Sequence, residues 1–334
     1  MNTRVKVEAP ARLHLGFMDM HGGLGRMFGS LGVAINEIST VLCIERTQSF
    51  LHDGPSSKRS MKYARLLLDK YGLHDQPISI LTKNVIPEHA GLGSGTQMAL
   101  ATGRAIATLL KLPITNRDIA ELLDRGTRSG IGLGAFENGG FLVDGGRGQD
   151  GNVPFITSRQ SFPRHWRILL LINEREKGFH DQDELNAFNK LPEFPENLSQ
   201  ELCRIVLMQI MPALASENFV DFSSGIGILQ SAVGDHFSKI QGGRFANANI
   251  NMVLRYAKQQ GYMGIGQSSW GPTGFILTES ELSAHALQKD ISKKFPDADI
   301  TYQVVAGRNN GHTIEVAPTT AGRDRQEEHT LEKR

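Results

Sequence analysis

Pro87-Glu88-His89-Ala90-Gly91-Leu92-Gly93-Ser94-Gly95-Thr96 follows a strand-like run at residues 78–82 and opens an apolar-periodic stretch that reads as a helix over residues 96–110. Glycines there let the backbone approach a ligand closely. Ser94 reads as an N-cap, and Gln97 three residues later completes a capping-box pattern. The N–H groups of a first helical turn lack intrahelical acceptors and lie at the positive end of the helix dipole, so an anion, above all a phosphate, is stabilised there. Ser94 and Thr96 add hydroxyl donors. No Lys follows the last glycine, so this is not a Walker loop. A plain glycine-rich helix entry would use the same residue types, and the rest of the chain has to decide between the two.

Upstream, residues 4–8, 33–37 and 41–46 read as strands and residues 58–71 as a helix whose apolar face is Met61, Ala64, Leu67, Leu68 and Tyr71, closed by Gly72. Downstream, residues 116–125 form another helix and residues 141–144 a short strand. The polar, turn-rich stretch 145–164 is the expected boundary, dividing the chain into domains 1–160 and 161–320 with a flexible tail at 321–334. Beyond it, residues 167–172 read as a buried strand. Helical patterns follow at 198–214, 219–240 and 246–260, then strands at 275–278, 301–305 and 313–316 with a helix at 281–294. Asn309-Asn310-Gly311 is a hairpin signal. The second half is thus expected to be α+β with an antiparallel sheet.

The chain has 334 residues and a formal net charge of +1, with basic residues scattered, which gives no support for a nucleic-acid or membrane-surface role. Cys43 and Cys203 are far apart and form no CxxC, so neither a zinc knuckle nor a redox motif is indicated. No apolar run nears the roughly 18 residues of a membrane span, and the N-terminus lacks a signal-peptide core, so a cytoplasmic protein is expected.

Three segments in order resemble the motifs of the GHMP small-molecule kinase superfamily. They are Ala9-Pro10-Ala11-Arg12-Leu13-His14-Leu15-Gly16, the loop at 87–96, and Gly266-Gln267-Ser268-Ser269-Trp270-Gly271-Pro272-Thr273-Gly274. The resemblance implies an α+β protein with an N-terminal α/β domain, a C-terminal ferredoxin-like domain and a site between them. It also implies that residues Gly91, Leu92, Gly93, Ser94, Gly95 and Thr96 bind phosphate. Many superfamily kinases carry an Asp that handles the proton of the substrate hydroxyl. Anchored on Ser129-Gly130 and Gly139-Gly140, that position here is Gly132, which cannot act as a base. Glu137 or Asp144 could substitute.

A finer resemblance covers nearly the whole chain except the tail. Arg12 through Asp19, Gly25-Arg26, Gly29 through Ala34, and Arg128 through Gly146 resemble the β-ribofuranosylaminobenzene 5'-phosphate synthases; Met27-Phe28 is less polar than that pattern expects. The resemblance implies condensation of phosphoribosyl diphosphate with 4-aminobenzoate, or 4-hydroxybenzoate in some members. Carbon dioxide and diphosphate are released, with Mg²⁺ as cofactor, on the route to tetrahydromethanopterin-type carriers. Attack comes from the ring carbon that bears the carboxylate, so no substrate hydroxyl need be deprotonated for attack, in keeping with Gly132. On this reading Asp19, Arg26, Arg12 and His14 are catalytic, and Arg128, Glu137, Ser268, Ser269 and Thr273 bind substrate. No metal ligands can be assigned. Each has a plainer alternative: a turn for Asp19, a surface ion pair for Arg26, a loop buttress for Glu137, a structural histidine for His14. Glu174, His180 and Asp181 are weaker candidates in a polar loop, and Trp270 could stack on an aromatic substrate or simply pack. The partners expected are small molecules, with a homodimer as the base-rate assembly. An ATP-dependent kinase and a ligand-binding relative without catalysis are the competing readings.

Overall fold

A computed structural model describes residues 3–173, 191–269 and 271–318. Glu174, His180, Asp181, Trp270 and the tail from 321 lie outside them. Two long strands dominate the first half. β1 (Thr3–Asp19) and β2 (Phe28–Arg46) pair antiparallel along most of their lengths, with register shifts at Pro10/Ala11 and His14/Gly16. Arg12 and His14 therefore belong to one continuous strand with residues 4–8, and the two predicted strands at 33–37 and 41–46 are also one. Bulges shift the side-chain alternation without ending a strand, which is why the pattern reads as broken.

β3 (Leu51–Asp53) precedes helix α1 (Ser57–Lys70), and β4 (Ile78–Asn84) precedes α2 (Ser94–Leu110). Then come α3 (Asn116–Leu122), α4 (Ile131–Glu137), β5 (Phe141–Asp144) and β6 (Ile156–Gln160). The sheet order is β3-β4-β2-β1, and β5 pairs with the first half of β2 and carries β6 on its other edge. The stretch 145–164 thus contains an edge strand that its polar sequence hides.

The second half opens with β7 (Arg167–Ile172). Helix α5 (Glu196–Ile205) runs through a π-helical turn, Val206–Ile210, into α6 (Met211–Ala215). After α7 (Phe219–Gln241) and α8 (Ala248–Gln259) come β8 (Ile265–Gln267), β9 (Gly274–Thr278), α9 (Glu281–Lys294) and β10 (Thr301–Ala306). The antiparallel sheet order β10-β7-β9-β8, with helices after the first and third strands, is the ferredoxin-like arrangement.

The last strand departs from expectation. β11 (Thr313–Pro318) pairs with β1 of the first sheet, Thr3 opposite Pro318, and not with β10. Asn309-Asn310-Gly311 is therefore no hairpin; it carries the chain from one sheet to the other. Asn309 anchors the crossing by accepting from Phe162 N at 2.7 Å and donating to Phe162 O at 2.9 Å.

The two halves share β1 and β2. Val5, Val7, Leu42 and Ile44 pack with Leu67, Met98 and Ile106 of α1 and α2. Leu13, Leu15, Leu31 and Val33 pack with Leu170, Phe222, Ile226 and Phe275 of the second half. A side chain of this size taken wholly out of water contributes about 1.5–3 kcal/mol. The continuous apolar seam therefore joins the halves and fixes the walls of the cleft between them.

Candidate active site

A cleft of about 910 Å³ opens between the halves at the N-terminus of α2. Helix α2 begins at Ser94, and its cap is Gly93 in the left-handed conformation at φ 87°, with no side-chain cap. The expected capping box is absent. A left-handed cap suits glycine and disfavours serine, and Gln97 is engaged elsewhere, its Nε2 donating to Gly132 O at 2.8 Å. The loop before the helix is wound by positive φ angles at His89 (59°), Gly91 (77°) and Gly93.

The C-terminal glycine motif grips this loop. Ser268 Oγ donates to Gly91 O at 2.7 Å and accepts from His14 N at 3.0 Å, while Arg12 Nη1 donates to Gly91 O at 2.5 Å. Arg12 N also donates to Leu92 O at 3.1 Å. A Cβ on Gly91 would overlap the Ser268 carbonyl, and one on Gly271 would overlap Gly91 N. The three motifs that resembled one superfamily thus meet at one point, each held by the other two.

Guanidinium groups surround the helix mouth. A Cβ on Gly93 would lie 3.3 Å from the Arg12 side chain, and one on Gly95 would lie 2.7 Å from Arg59 Nη2 and 3.6 Å from Arg125 Nη1. Arg59 and Arg125 both reach over the Tyr63 ring, at 5.9 and 5.6 Å from its centroid. Arg59 is further fixed by Glu88 Oε1 at 3.3 Å, and Glu88 accepts from Ser56 Oγ at 2.8 Å. Burial lowers the Arg59 pKa, but its hydrogen bonds to Tyr63 and Glu88 and the Glu88 carboxylate outweigh it and raise the value. Arg128 lines the same cleft. Three cations on an open helix end, with Arg128 in the same cleft, form a strong polyanion site. Arg59 and Arg125 escaped the sequence reading because α1 and the turn after α3 carry no motif.

The other predicted residues divide. Arg12, Gly91, Gly93, Ser94, Gly95, Thr96, Arg128 and Ser269 line the cleft together. Leu92 is buried behind the loop, and Ser268 and Thr273 are fully buried in its support, with Ser268 N donating to Thr273 O at 2.9 Å. His14 lies behind the wall: buried, edge-on to Phe17 at 4.6 Å, its Nδ1 accepting from Gly16 N at 3.3 Å. Burial, with help from Arg12 and Arg128, lowers its pKa to about 3, so it is neutral. Asp19 closes the turn after β1, its Oδ1 accepting from His21 N at 3.0 Å and Gly22 N at 3.1 Å. Arg26 pins that turn to the next loop, donating to Gly145 O and Gly146 O, each at 2.8 Å. Glu137 stands away from the cleft, exposed, accepting from Asn116 Nδ2 at 3.2 Å.

Gly132 sits where α4 crosses α2. A Cβ there would meet Thr96 Cγ2 at 2.9 Å, so no side chain of a base fits without movement. Asp144 does not replace it. Its buried carboxylate collects Ser30 N (3.1 Å), Ser129 Oγ (3.1 Å), Gly130 N (3.0 Å), Gly146 N (2.9 Å) and Ser30 Oγ, and lies outside the cleft lining. Burial raises its pKa while these donors oppose the rise. It is a tie among β2, β5 and the turn that carries Arg128. Among the described residues no three His, Cys, Asp or Glu side chains gather into a metal cage, and no helix is long and apolar enough to cross a membrane.

Comparison with known proteins agrees with this geometry. Residues 59–140 match the model of the GHMP kinases N terminal domain. The homoserine kinase of Cytophaga hutchinsonii shares the fold, with a TM-score of 0.62 at 18% identity over 93% of this chain and 97% of that one. The β-ribofuranosylphenol 5'-phosphate synthase of Archaeoglobus fulgidus is 29% identical over 93% of this chain and all of its own. That of Methanocaldococcus jannaschii is 30% identical over 92% of this chain and 99% of its own. With the fold, the loop and the base-free helix crossing in place, the chain belongs to the family of the β-ribofuranosylphenol 5'-phosphate synthases, enzymes built on the GHMP kinase fold.

Proposed function

We propose that the protein joins the ribosyl carbon of phosphoribosyl diphosphate to the carboxylate-bearing ring carbon of a 4-substituted benzoate, releasing carbon dioxide and diphosphate. The observation that carries this reading is the convergence of Arg12, Arg59 and Arg125 on the open N-terminus of α2, with Arg128 in the same cleft, beside a Gly132 that leaves no room for a base. A diphosphate leaving group needs cations where its charge develops, and this end of the cleft supplies them. The attacking atom is carbon, so no base is required at the Gly132 position to free a hydroxyl nucleophile. The ring's electron pair forms the C–C bond as the C–O bond to diphosphate breaks. The electrons of the carboxylate C–C bond then restore aromaticity as carbon dioxide leaves.

Carried on the diphosphate donor, Mg²⁺ would neutralise part of the charge that the guanidinium groups share. The relatives are named for a phenol product, which favours 4-hydroxybenzoate over 4-aminobenzoate. The product belongs to a tetrahydromethanopterin-type one-carbon carrier, and the reaction is that of a cytoplasmic glycosyltransferase. Holding both substrates in one cleft supplies much of the remaining rate.

The test is release of labelled carbon dioxide from carboxyl-labelled 4-hydroxybenzoate or 4-aminobenzoate, in the presence of phosphoribosyl diphosphate and Mg²⁺. Release from neither acid, together with ATP turnover on a panel of small alcohols, would replace this function by a kinase.

A further inference from the structure

The cleft has a second end, and its chemistry differs from that of the helix mouth. Met20, Phe28 and Phe194 line it, with His21 and His236 as imidazoles among them. Phe194, itself 3% exposed, lies edge-on to His236 with ring centroids 4.8 Å apart. Phe28, held at φ 78°, tilts against the buried Phe17 at 5.4 Å. His21 stands at the rim, its Nε2 3.4 Å from the exposed Glu193. His236 projects from the long helix α7, while Phe28 starts β2 and Phe194 precedes α5, so three separate elements build this end.

We propose that Phe28, Phe194 and His236 form the seat of the aromatic acceptor, with His236 facing the ring substituent opposite the carboxylate. The inference rests on the ribosylation reading above and extends it to the second substrate. Making a β-riboside from the α-configured diphosphate requires inversion, so acceptor and leaving group stand on opposite sides of the ribosyl carbon. A cleft with Arg12, Arg59 and Arg125 at the helix mouth and aromatic rings elsewhere, Arg147 being bridged to Met27 beside Phe28, provides that arrangement. Aromatic walls favour a flat ring by stacking and edge-on contact.

The two acceptors make different demands on the group at the far end of the ring. As the ring carbon bonds to ribose, a 4-hydroxyl becomes carbonyl-like and its proton passes to the neutral imidazole. When carbon dioxide leaves and the ring regains its electrons, the proton returns to the oxygen. A 4-amino group lends its lone pair and keeps its protons throughout. Burial, then Lys239, holds the His236 pKa below the ordinary histidine value, which favours the neutral imidazole.

The experiment is a comparison of both acids on wild type, His236→Gln, His236→Asn, His21→Gln and Phe194→Leu. The His236 variants are expected to lose about 10²-fold in kcat/KM with 4-hydroxybenzoate. With 4-aminobenzoate the loss should stay within about 3-fold, and KM for phosphoribosyl diphosphate should be unchanged. Phe194→Leu should raise KM for both acids alike. Equal losses on both acids in the His236 variants, or a hydroxy-specific loss in His21→Gln instead, overturn the assignment. In wild-type protein labelled at histidine Cε1, 4-hydroxybenzoate should shift the His236 resonance; an unmoved resonance under saturating acid also overturns it. Should wild type release carbon dioxide from neither acid, the ribosylation reading itself fails; should it turn over normally while His236 stays silent, only the seat is misplaced.

Discussion

Replacing Gly132 by alanine tests whether the helix crossing, and not chance, keeps a side chain out of the position where related kinases hold a base. In a helix, Gly→Ala ordinarily stabilises by about 0.5–1 kcal/mol through backbone entropy. Here the new Cβ would sit 2.9 Å from Thr96 Cγ2 and 3.3 Å from Thr96 Cβ. A β-branched side chain in a helix has little rotamer freedom to retreat, and overpacking of this kind costs about 1–3 kcal/mol. The clash therefore wins, and Gly132→Ala is expected to destabilise by about 0.5–2 kcal/mol. Thr96→Ser removes the offending methyl, so in that background the same alanine should be neutral or mildly stabilising, a coupling of about 1–2 kcal/mol. Urea denaturation of the four proteins, followed by circular dichroism, measures the cycle. A Gly132→Ala protein more stable than wild type, or a coupling near zero, would refute the reasoning.

Three further outcomes follow from the same geometry. Arg59→Ala and Arg125→Ala should each weaken inorganic pyrophosphate binding by about 10-fold or more, since hydrogen bonds to charged groups contribute about 1.5–3 kcal/mol; titration calorimetry at two salt concentrations checks it, and an unchanged affinity would remove that arginine from the anion site. Asp144→Asn should destabilise by about 2–4 kcal/mol, because an amide cannot accept all five donors on two oxygens; a denaturation midpoint equal to wild type would show the tie to be dispensable. His14 favours its neutral form on folding, with a pKa lowered from 6.5 to about 3. The unfolded chain then binds the extra proton first, so this stability is full above pH 6.5 and is lost as pH falls toward 3, by about 1.4 kcal/mol per unit. A His14 imidazole titrating near pH 6 in the folded protein would contradict it.

The local elements were legible where one period dominates. Helix α9 and strands β5 and β7 lie where the apolar pattern puts them, and the phosphate loop announced itself through clustered glycines. What escaped was non-local. Nothing in Thr313–Pro318 distinguishes a partner in the near sheet from one 300 residues away, since any exposed edge strand carries the same alternating pattern. Arg59 and Arg125 looked like ordinary helix-surface cations; only the approach of α1 to residue 95 gives them a shared task. Family resemblance marked Asp19, Arg26 and Glu137 as chemical; in the fold Asp19 and Arg26 bond to backbone groups of turns, and Glu137 accepts from Asn116 of α3. His14 keeps the strand register of Arg12, two residues before it, yet its ring is buried edge-on to Phe17.

Pairing of the first and last described segments, Thr3 with Pro318, has a consequence for synthesis. While the ribosome is still making the second half, the outer edge of β1 has no strand to cover it. Bare edges recruit other chains, and contacts this distant in sequence close slowly. Nascent protein should therefore stay prone to aggregate until Thr313–Pro318 emerges, and a shortened product ending before residue 313 should keep that hazard for good.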